Sequence, residues 1–403
     1  MAVSRRLAAL GFLVLVAACG AAPPAETPPP QPLPIAGRVS ADTAAMISSV
    51  DAFGLDLLTA PALADQPNLV VSPVSVALAL RMIGAGAAGE TAAQISKVLH
   101  LPEGTLPRLP ALDQTYLKVV NTAWVQRGLA LKPAYWNTLR TQFGATPREA
   151  DFSRDPDGAR GRINQTVADQ TAGKITDLFP PDSIDADTRL VLTDALYLKA
   201  EWAQEFPADR TADAPFTRGD GSTVTVPMMH NQPSQEPRYD LGYAEGPGYQ
   251  AVTLPYRGGG LAFTVIVPAA ADALRDKGVP AILGEVRPAP VTLAMPRFTA
   301  RSAMDLTETL AAAGMPAAFS PAADFSGITD DADLHLDSVQ HKTFVQVDEK
   351  GTEAAAATGD DAQVVSAQEP RTVTVDRPFL FVITDTATGA PLFLGRINDP
   401  TSF

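Results

Sequence analysis

The chain has 403 residues, 46% apolar and 19% charged, a composition that supports a large core and excludes a disordered chain. Its net charge is −14 and no basic stripe stands out, which argues against a nucleic-acid partner and leaves the acidic excess as an aid to solubility. Length alone allows two or three domains or one large one.

The first 18 residues have a basic start (Arg5, Arg6), an apolar run from Leu7 to Val16 and small residues before Cys19, the only cysteine. That is the layout of a secretory signal, too short for a comfortable membrane span. The ending VAAC resembles a bacterial lipoprotein signal, which implies removal of residues 1–18 and a lipid on Cys19. The alternative is an ordinary signal with a stray cysteine. With Cys19 lipidated, the rest of the chain has no thiol, so disulfides and thiol catalysis are both excluded. Residues 19–39, rich in Ala and Pro, read as an extended tether. No second linker and no repeat follows, so 40–403 is expected to be a single domain.

Spaced apolar residues predict a helix over Thr43–Leu58, and a dense apolar helix over Ser75–Gly84 begins behind Ser72-Pro73. Thr91–Leu99 and the longer Ala159–Leu178 complete the helical front half. Strand patterns follow at Arg189–Leu198, Thr223–Met228, Gln250–Pro255, Leu261–Val267 and Val291–Phe298, then a helix at Met304–Ala312. Three strands close the chain: Arg371–Asp376, Phe379–Thr384 and Leu392–Arg396. Helices with mainly antiparallel strands make the class α+β.

One stretch stands apart. HKTFVQV (341–347) alternates as a strand, and DEKGTEAAAATG (348–359) then carries almost nothing bulky and reads as soft, small and exposed. Judged alone, Glu-Ala-Ala-Ala-Ala could be one exposed helical turn.

The order of motifs gives the stretch another meaning. NLVVSPVSVALALRMIGAGAAGETAAQ (68–94), INQTVADQTAGKITDLF (163–179), TDALYLKAEW (193–202), LPYRGG, MPRF, ADFSGI, HKTFVQVDEKGTEAAAATG and DRPFLFVITDTATGAPLFLGRINDP (376–400) resemble the serpin family, in family order, over nearly all of 51–400. The resemblance implies a large central β-sheet, two smaller sheets, about eight or nine helices and an exposed reactive-centre loop over about 349–377. It implies a one-use inhibitor of serine proteases. The protease attacks the loop and forms an acyl-enzyme, and the cut loop inserts into the central sheet before deacylation. No cofactor or metal is implied, and a monomer is expected.

The resemblance makes Glu349, Gly351, Thr352, Glu353, Ala354, Ala355, Ala356, Ala357 and Thr358 the hinge. Strand alternation sends Thr352, Ala354, Ala356 and Thr358 to one face, and all four are small enough to bury cheaply. Gly351 frees the backbone at the hinge. The same parity turns Asp360 inward, where an unpaired carboxylate opposes insertion. Family spacing from Glu349 puts the reactive bond at Val365-Ser366, and counting back from Pro378 favours a bond near Ala367; Val364 is a further candidate. These small aliphatic residues point to elastase-like or subtilisin-like targets, and the lack of Lys or Arg between Lys350 and Arg371 disfavours trypsin-like ones. Positions controlling sheet opening map onto Ser72, Ser75 and His341, with Asp194 where the family usually has Asn, and Trp202 stands at the end of the sheet where the loop goes in. An Asp194–His341 pair would make opening sensitive to pH in the imidazole range; the alternative is a plainly structural pair.

Two competing classes are weighed against inhibition. A hydrolase finds no G-x-S-x-G elbow, no H-E-x-x-H and no Cys/His cluster around His230, His335 and His341. A non-inhibitory serpin acting as a carrier, chaperone or surface-binding protein would not need the small-residue hinge. With Cys19 lipidated, a location at the bacterial cell envelope, outer membrane or cell surface, is expected.

Overall fold

The computed structural model describes residues 40–101, 117–145, 147–231, 241–268, 276–330, 334–352 and 369–402. The expected α+β architecture is present, with seven α-helices among the described residues. None of these helices is long and apolar enough to cross a membrane.

A seven-stranded antiparallel sheet runs in the order Asn68–Val71, Pro391–Ile397, Phe379–Asp385, Leu261–Val267, Tyr249–Pro255, Leu241–Gly246 and Arg287–Ala289. Its middle strands are buried along nearly their whole length, so they are apolar at consecutive positions rather than alternating. A four-stranded sheet joins Arg371–Thr374, Val291–Pro296, Thr223–His230 and Ala212–Thr217. A five-stranded sheet runs Phe298–Asp305, Val339–Val347, Leu190–Leu198, Leu117–Gln126, Arg148–Ala150. Among the described residues it has five strands, and Gly351–Thr352 borders its end. Val339–Val347 pairs antiparallel with Phe298–Asp305 but parallel with Leu190–Leu198, which pairs antiparallel with Leu117–Gln126. A parallel seam thus lies in the middle of this sheet.

Helix Pro73–Gly84 starts where its sequence says it should. The Ser72 hydroxyl accepts from Ser75 N–H and Pro73 takes the first helical position. Helix Pro156–Gln170 stops eight residues short of the expected Leu178. The Thr171 hydroxyl bonds back to the Val167 carbonyl, and Ala172 (φ +52°) and Gly173 (φ +74°) turn the chain out of the helix. Residues 171–179 then form a strap across the five-stranded sheet. The expected helix Met304–Ala312 begins only at Thr307, because Phe298–Asp305 is an edge strand with alternating burial. Helix Ala41–Leu58 buries Asp51. One carboxylate oxygen accepts from Val279 N–H at 3.2 Å, the other has no hydrogen-bond partner, and burial pushes the carboxyl up to about 6.

Candidate functional site

Along Val339–Val347 the odd-numbered residues face the main core, with His341 and Val345 fully buried. After Val347 the chain makes a tight turn. The Asp348 carboxylate accepts from the N–H groups of Lys350 (2.9 Å) and Gly351 (3.2 Å), and Asp348 N–H donates to the Gly351 carbonyl. Gly351 and Thr352 then run antiparallel to Ala200–Glu201, at the mouth of the parallel seam.

Three successive carbonyls of this turn are docked on one segment. Trp202 Nε1 donates to Asp348 O at 2.9 Å, Phe206 N to Glu349 O at 2.8 Å and Trp202 N to Lys350 O at 2.9 Å. The Glu349 carboxylate accepts from the Thr211 hydroxyl at 2.8 Å and lies 3.5 Å from Arg297. The hinge therefore begins as a docked element rather than as the exposed one expected from its composition. Gly351 is buried, and Thr352, with no exposed surface, shares a 2.7 Å hydroxyl hydrogen bond with Tyr256. Tyr256 stacks on Trp202 at 4.6 Å, and burial holds its phenol above the ordinary range. Trp202 also meets Phe206 and Phe263 edge-on.

The positions expected from the sequence to control sheet opening lie farther down the seam. His341 Nε2 accepts from Ser72 N–H at 3.0 Å, which ties the central strand to the cap of helix Pro73–Gly84. An accepting Nε2 carries no proton, so this bond belongs to the neutral ring. Asp194 stands directly opposite His341 in the parallel register, while its carboxylate lies outside the described side chains. Ser75 reaches the cluster through its backbone, as donor to Ser72.

The structure brings Glu349, Gly351, Thr352 and Trp202 together at one end of the seam, and Ser72, Ser75 and His341 in its middle. Glu353 to Thr358, Asp360, the bond candidates Val364, Val365, Ser366 and Ala367, and Cys19 lie outside the described residues. Sequence reasoning missed Tyr256, Arg297 and Thr211 around the hinge, and Thr343 and Ser302, whose hydroxyls bond Val70 O and Val70 N–H at 2.8 Å. Tyr256 and Arg297 sit inside LPYRGG and MPRF, so the signal was in hand without a role attached. No cluster of His, Cys, Asp and Glu among the described residues could hold a metal.

Comparison with known proteins identifies the family. An uncharacterised serpin-like protein of Thermococcus kodakarensis is 35% identical over 376 residues, covering 88% of this chain and 86% of that protein. A leukocyte elastase inhibitor of Bos taurus is 33% identical over 358 residues, covering 83% and 93%. The crystal structure of Serpin48 from the insect Tenebrio molitor superposes with a TM-score of 0.76 at 27% identity, covering 90% of this chain and all of that one. The family model described as serpin (serine protease inhibitor) matches residues 48–400. The chain belongs to the serpins, a family of protease inhibitors rather than enzymes.

Proposed function

We propose that this serpin is a one-use inhibitor that presents residues 349–377 as bait and traps a serine protease by drawing the cut loop into the parallel seam. The observation that carries the reading is the register at the mouth of the seam. Thr352 lies opposite Ala200, antiparallel to the strand it would extend along. Stepped onward, that register sets Ala354 beside Leu198, Ala356 beside Leu196, Thr358 beside Asp194 and Asp360 beside Leu192. If the far strand keeps its own register, Val345, Thr343, His341 and Val339 lie on the other side. A strand entering there is antiparallel to both neighbours and makes that part of the sheet antiparallel throughout. The residues meeting the core are Ala, Ala and Thr until Asp360, which falls between Leu192 and Val339, both almost fully buried.

The target is a protease with a small aliphatic primary pocket, attacking at Val365-Ser366 or within two residues of it. Relatives named leukocyte elastase inhibitors favour the same class. The test is to mix the protein with an elastase. An SDS-resistant complex is expected, with a C-terminal peptide whose mass fixes the bond. Simple cleavage without a complex refutes trapping and leaves a substrate-like member. We also propose a lipid on Cys19 and a cell-envelope location; incorporation of labelled fatty acid, lost in Cys19→Ser, tests this.

A further inference from the structure

Residues 127–148 carry Arg127, Lys132, Arg140 and Arg148 and no acidic residue, within a chain whose net charge is −14. The same stretch holds Trp136, the one large apolar side chain that is exposed among the described residues. Helix Pro133–Gln142 sets their arrangement. Tyr135 and Leu139 are buried on its inner face, the Tyr135 hydroxyl donating to the Met82 carbonyl at 3.1 Å. Trp136 and Arg140, one turn apart, share the outer face, and Lys132 stands one turn before them. Leu129 and Leu131 in the turn before the helix are half-buried, and Pro133 and Ala134 at its start are exposed. The face is thus an apolar tip with basic flanks.

The turn is firmly held. Lys132 N–H donates to the Ile328 carbonyl at 2.8 Å, the Thr329 hydroxyl donates to the Ala130 carbonyl at 2.9 Å, and Leu131 forms a β-bridge with Thr329. Two carboxylates offset part of the charge: Asp330 pairs with Lys132 at 2.6 Å and Asp151 with Arg127 at 3.1 Å. Arg140 is exposed, has no carboxylate partner among the described residues, and reaches the Asn137 amide oxygen at 3.5 Å. The sheet decides where the stretch lies. Strand Leu117–Gln126 starts at the hinge end, with Leu117 opposite Leu198, and finishes at the far end, with Val125 opposite Leu190. Its ten residues span about 30 Å. Residues 127–148 leave the sheet after Gln126 and return at Arg148, opposite Trp124, so both ends of the stretch are at the end away from the hinge.

We propose that the turn 127–132 and the outer face of helix Pro133–Gln142 dock on a phospholipid surface with anionic headgroups, leaving the bait directed away from it. The proposal rests in part on the lipid read at Cys19. A tryptophan settles at the headgroup boundary, its ring in the apolar layer and its N–H in water, and each nearby cation adds attraction to anionic lipid. Repulsion from the acidic remainder of the chain is screened beyond about 8 Å at physiological salt. One ring and a few cations bind weakly alone. A lipid on Cys19, joined to the body through residues 19–39, holds the face at a millimolar effective concentration of membrane, where weak docking is populated.

The lipidated protein, reconstituted in vesicles with brominated acyl chains, tests this through tryptophan emission. Trp124 and Trp202 are buried, so Trp136 is the reporter. Quenching is expected in phosphatidylglycerol vesicles, less in phosphatidylcholine ones, and 0.5 M salt should relieve it. Residues 19–403 with Cys19→Ser, which cannot carry the lipid, keep the two readings apart. They are expected to sediment with phosphatidylglycerol vesicles at millimolar lipid. Arg140→Gln should lower that affinity about fivefold and Trp136→Ala further, both with unchanged melting midpoints because the side chains are exposed. Absence of sedimentation, equal affinity for the two lipids, or full affinity in Trp136→Ala overturns the docking, whatever is attached to Cys19. Failure of fatty-acid labelling with sedimentation intact overturns the anchor and leaves the docking standing. Protection of Trp136 from acrylamide that grows with protein concentration, in the absence of vesicles, marks the face as a contact between copies and overturns the lipid surface as its partner.

Discussion

Gly351→Ala is the sharpest perturbation of the hinge. An added Cβ would stand 2.3 Å from the Ala200 carbonyl oxygen, 2.7 Å from Glu201 Cα and 2.9 Å from Trp202 N, all of them backbone atoms that cannot swing aside. The residue also has φ +152°, where L side chains are strained. The chain relieves the clash by lifting Gly351–Thr352 off the sheet. That forfeits the Thr352–Tyr256 hydrogen bond and the burial of the threonine methyl. Leaving the buried tyrosine hydroxyl unpaired costs about 1–3 kcal/mol, and the methyl adds roughly 0.8 kcal/mol. A total of about 2–4 kcal/mol, set against an unfolding entropy of about 2 cal/mol/K per residue, lowers the melting midpoint by roughly 3–5 °C. Trypsin reads the same event locally. The Lys350 carbonyl is held by Trp202 N, so the docked hinge shields its scissile bond. Release of the hinge by about 2 kcal/mol exposes it roughly thirtyfold more often. Unchanged trypsin cleavage at Lys350 together with an unchanged midpoint in Gly351→Ala would refute the docked hinge.

Three further outcomes are expected. The buried Asp51 carboxyl, raised by burial to about 6 in the folded protein against an ordinary value of 3.8 in the unfolded chain, contributes stability that is present below pH 3.8 and lost as pH rises through about 6. Urea unfolding should therefore find the protein about 1 kcal/mol more stable at pH 5 than at pH 7.5 through this group, and Asp51→Asn should remove that difference. His341→Ala leaves the Ser72 N–H without its acceptor and should cost about 2–4 kcal/mol by urea unfolding, whereas His341→Gln, which can still accept, should recover about 1 kcal/mol. Asp360→Leu should raise the fraction of protease trapped and the melting gain after loop cleavage, since leucine suits the Leu192–Val339 pair; an unchanged trapped fraction means Asp360 is no obstacle.

Much of this fold can be read directly from periodicity. Leu261–Val267 and Phe379–Asp385 are dense β-formers at strand length, and Ser72-Pro73 announces a helix start. Errors arose where local signals conflict with packing. INQTVADQTAGKITDLF keeps its apolar spacing beyond Thr171 because Ile175, Leu178 and Phe179 still face a small core separate from the main one, although as a strap rather than a helix. Ala303 and Met304 favour helices, yet pairing with Val339–Val347 holds them in a strand. The hinge residues were legible through their smallness, but their docking was not. It depends on Trp202, Tyr256 and Thr211, far away in the chain, and only the folded sheets bring those groups to Asp348–Thr352. The seam itself, a matter of strand direction, leaves no local trace in the residues of either strand.

The position of the last two strands has a consequence for the bait. Phe379–Asp385 and Pro391–Ile397 lie inside the seven-stranded sheet, flanked by Leu261–Val267 and Asn68–Val71. Asn68 fastens the terminus further, its side chain bonding the backbones of Asn398, Asp399 and Ser402. A cut anywhere in residues 353–368 therefore yields two polypeptides but one particle. Its mass stays whole by native mass spectrometry and falls by the C-terminal peptide only in denaturant. Severing the loop releases no fragment. On the proposed mechanism the cut separates the segment that would insert from an anchor that stays where it is, and the molecule would persist as a two-chain protein.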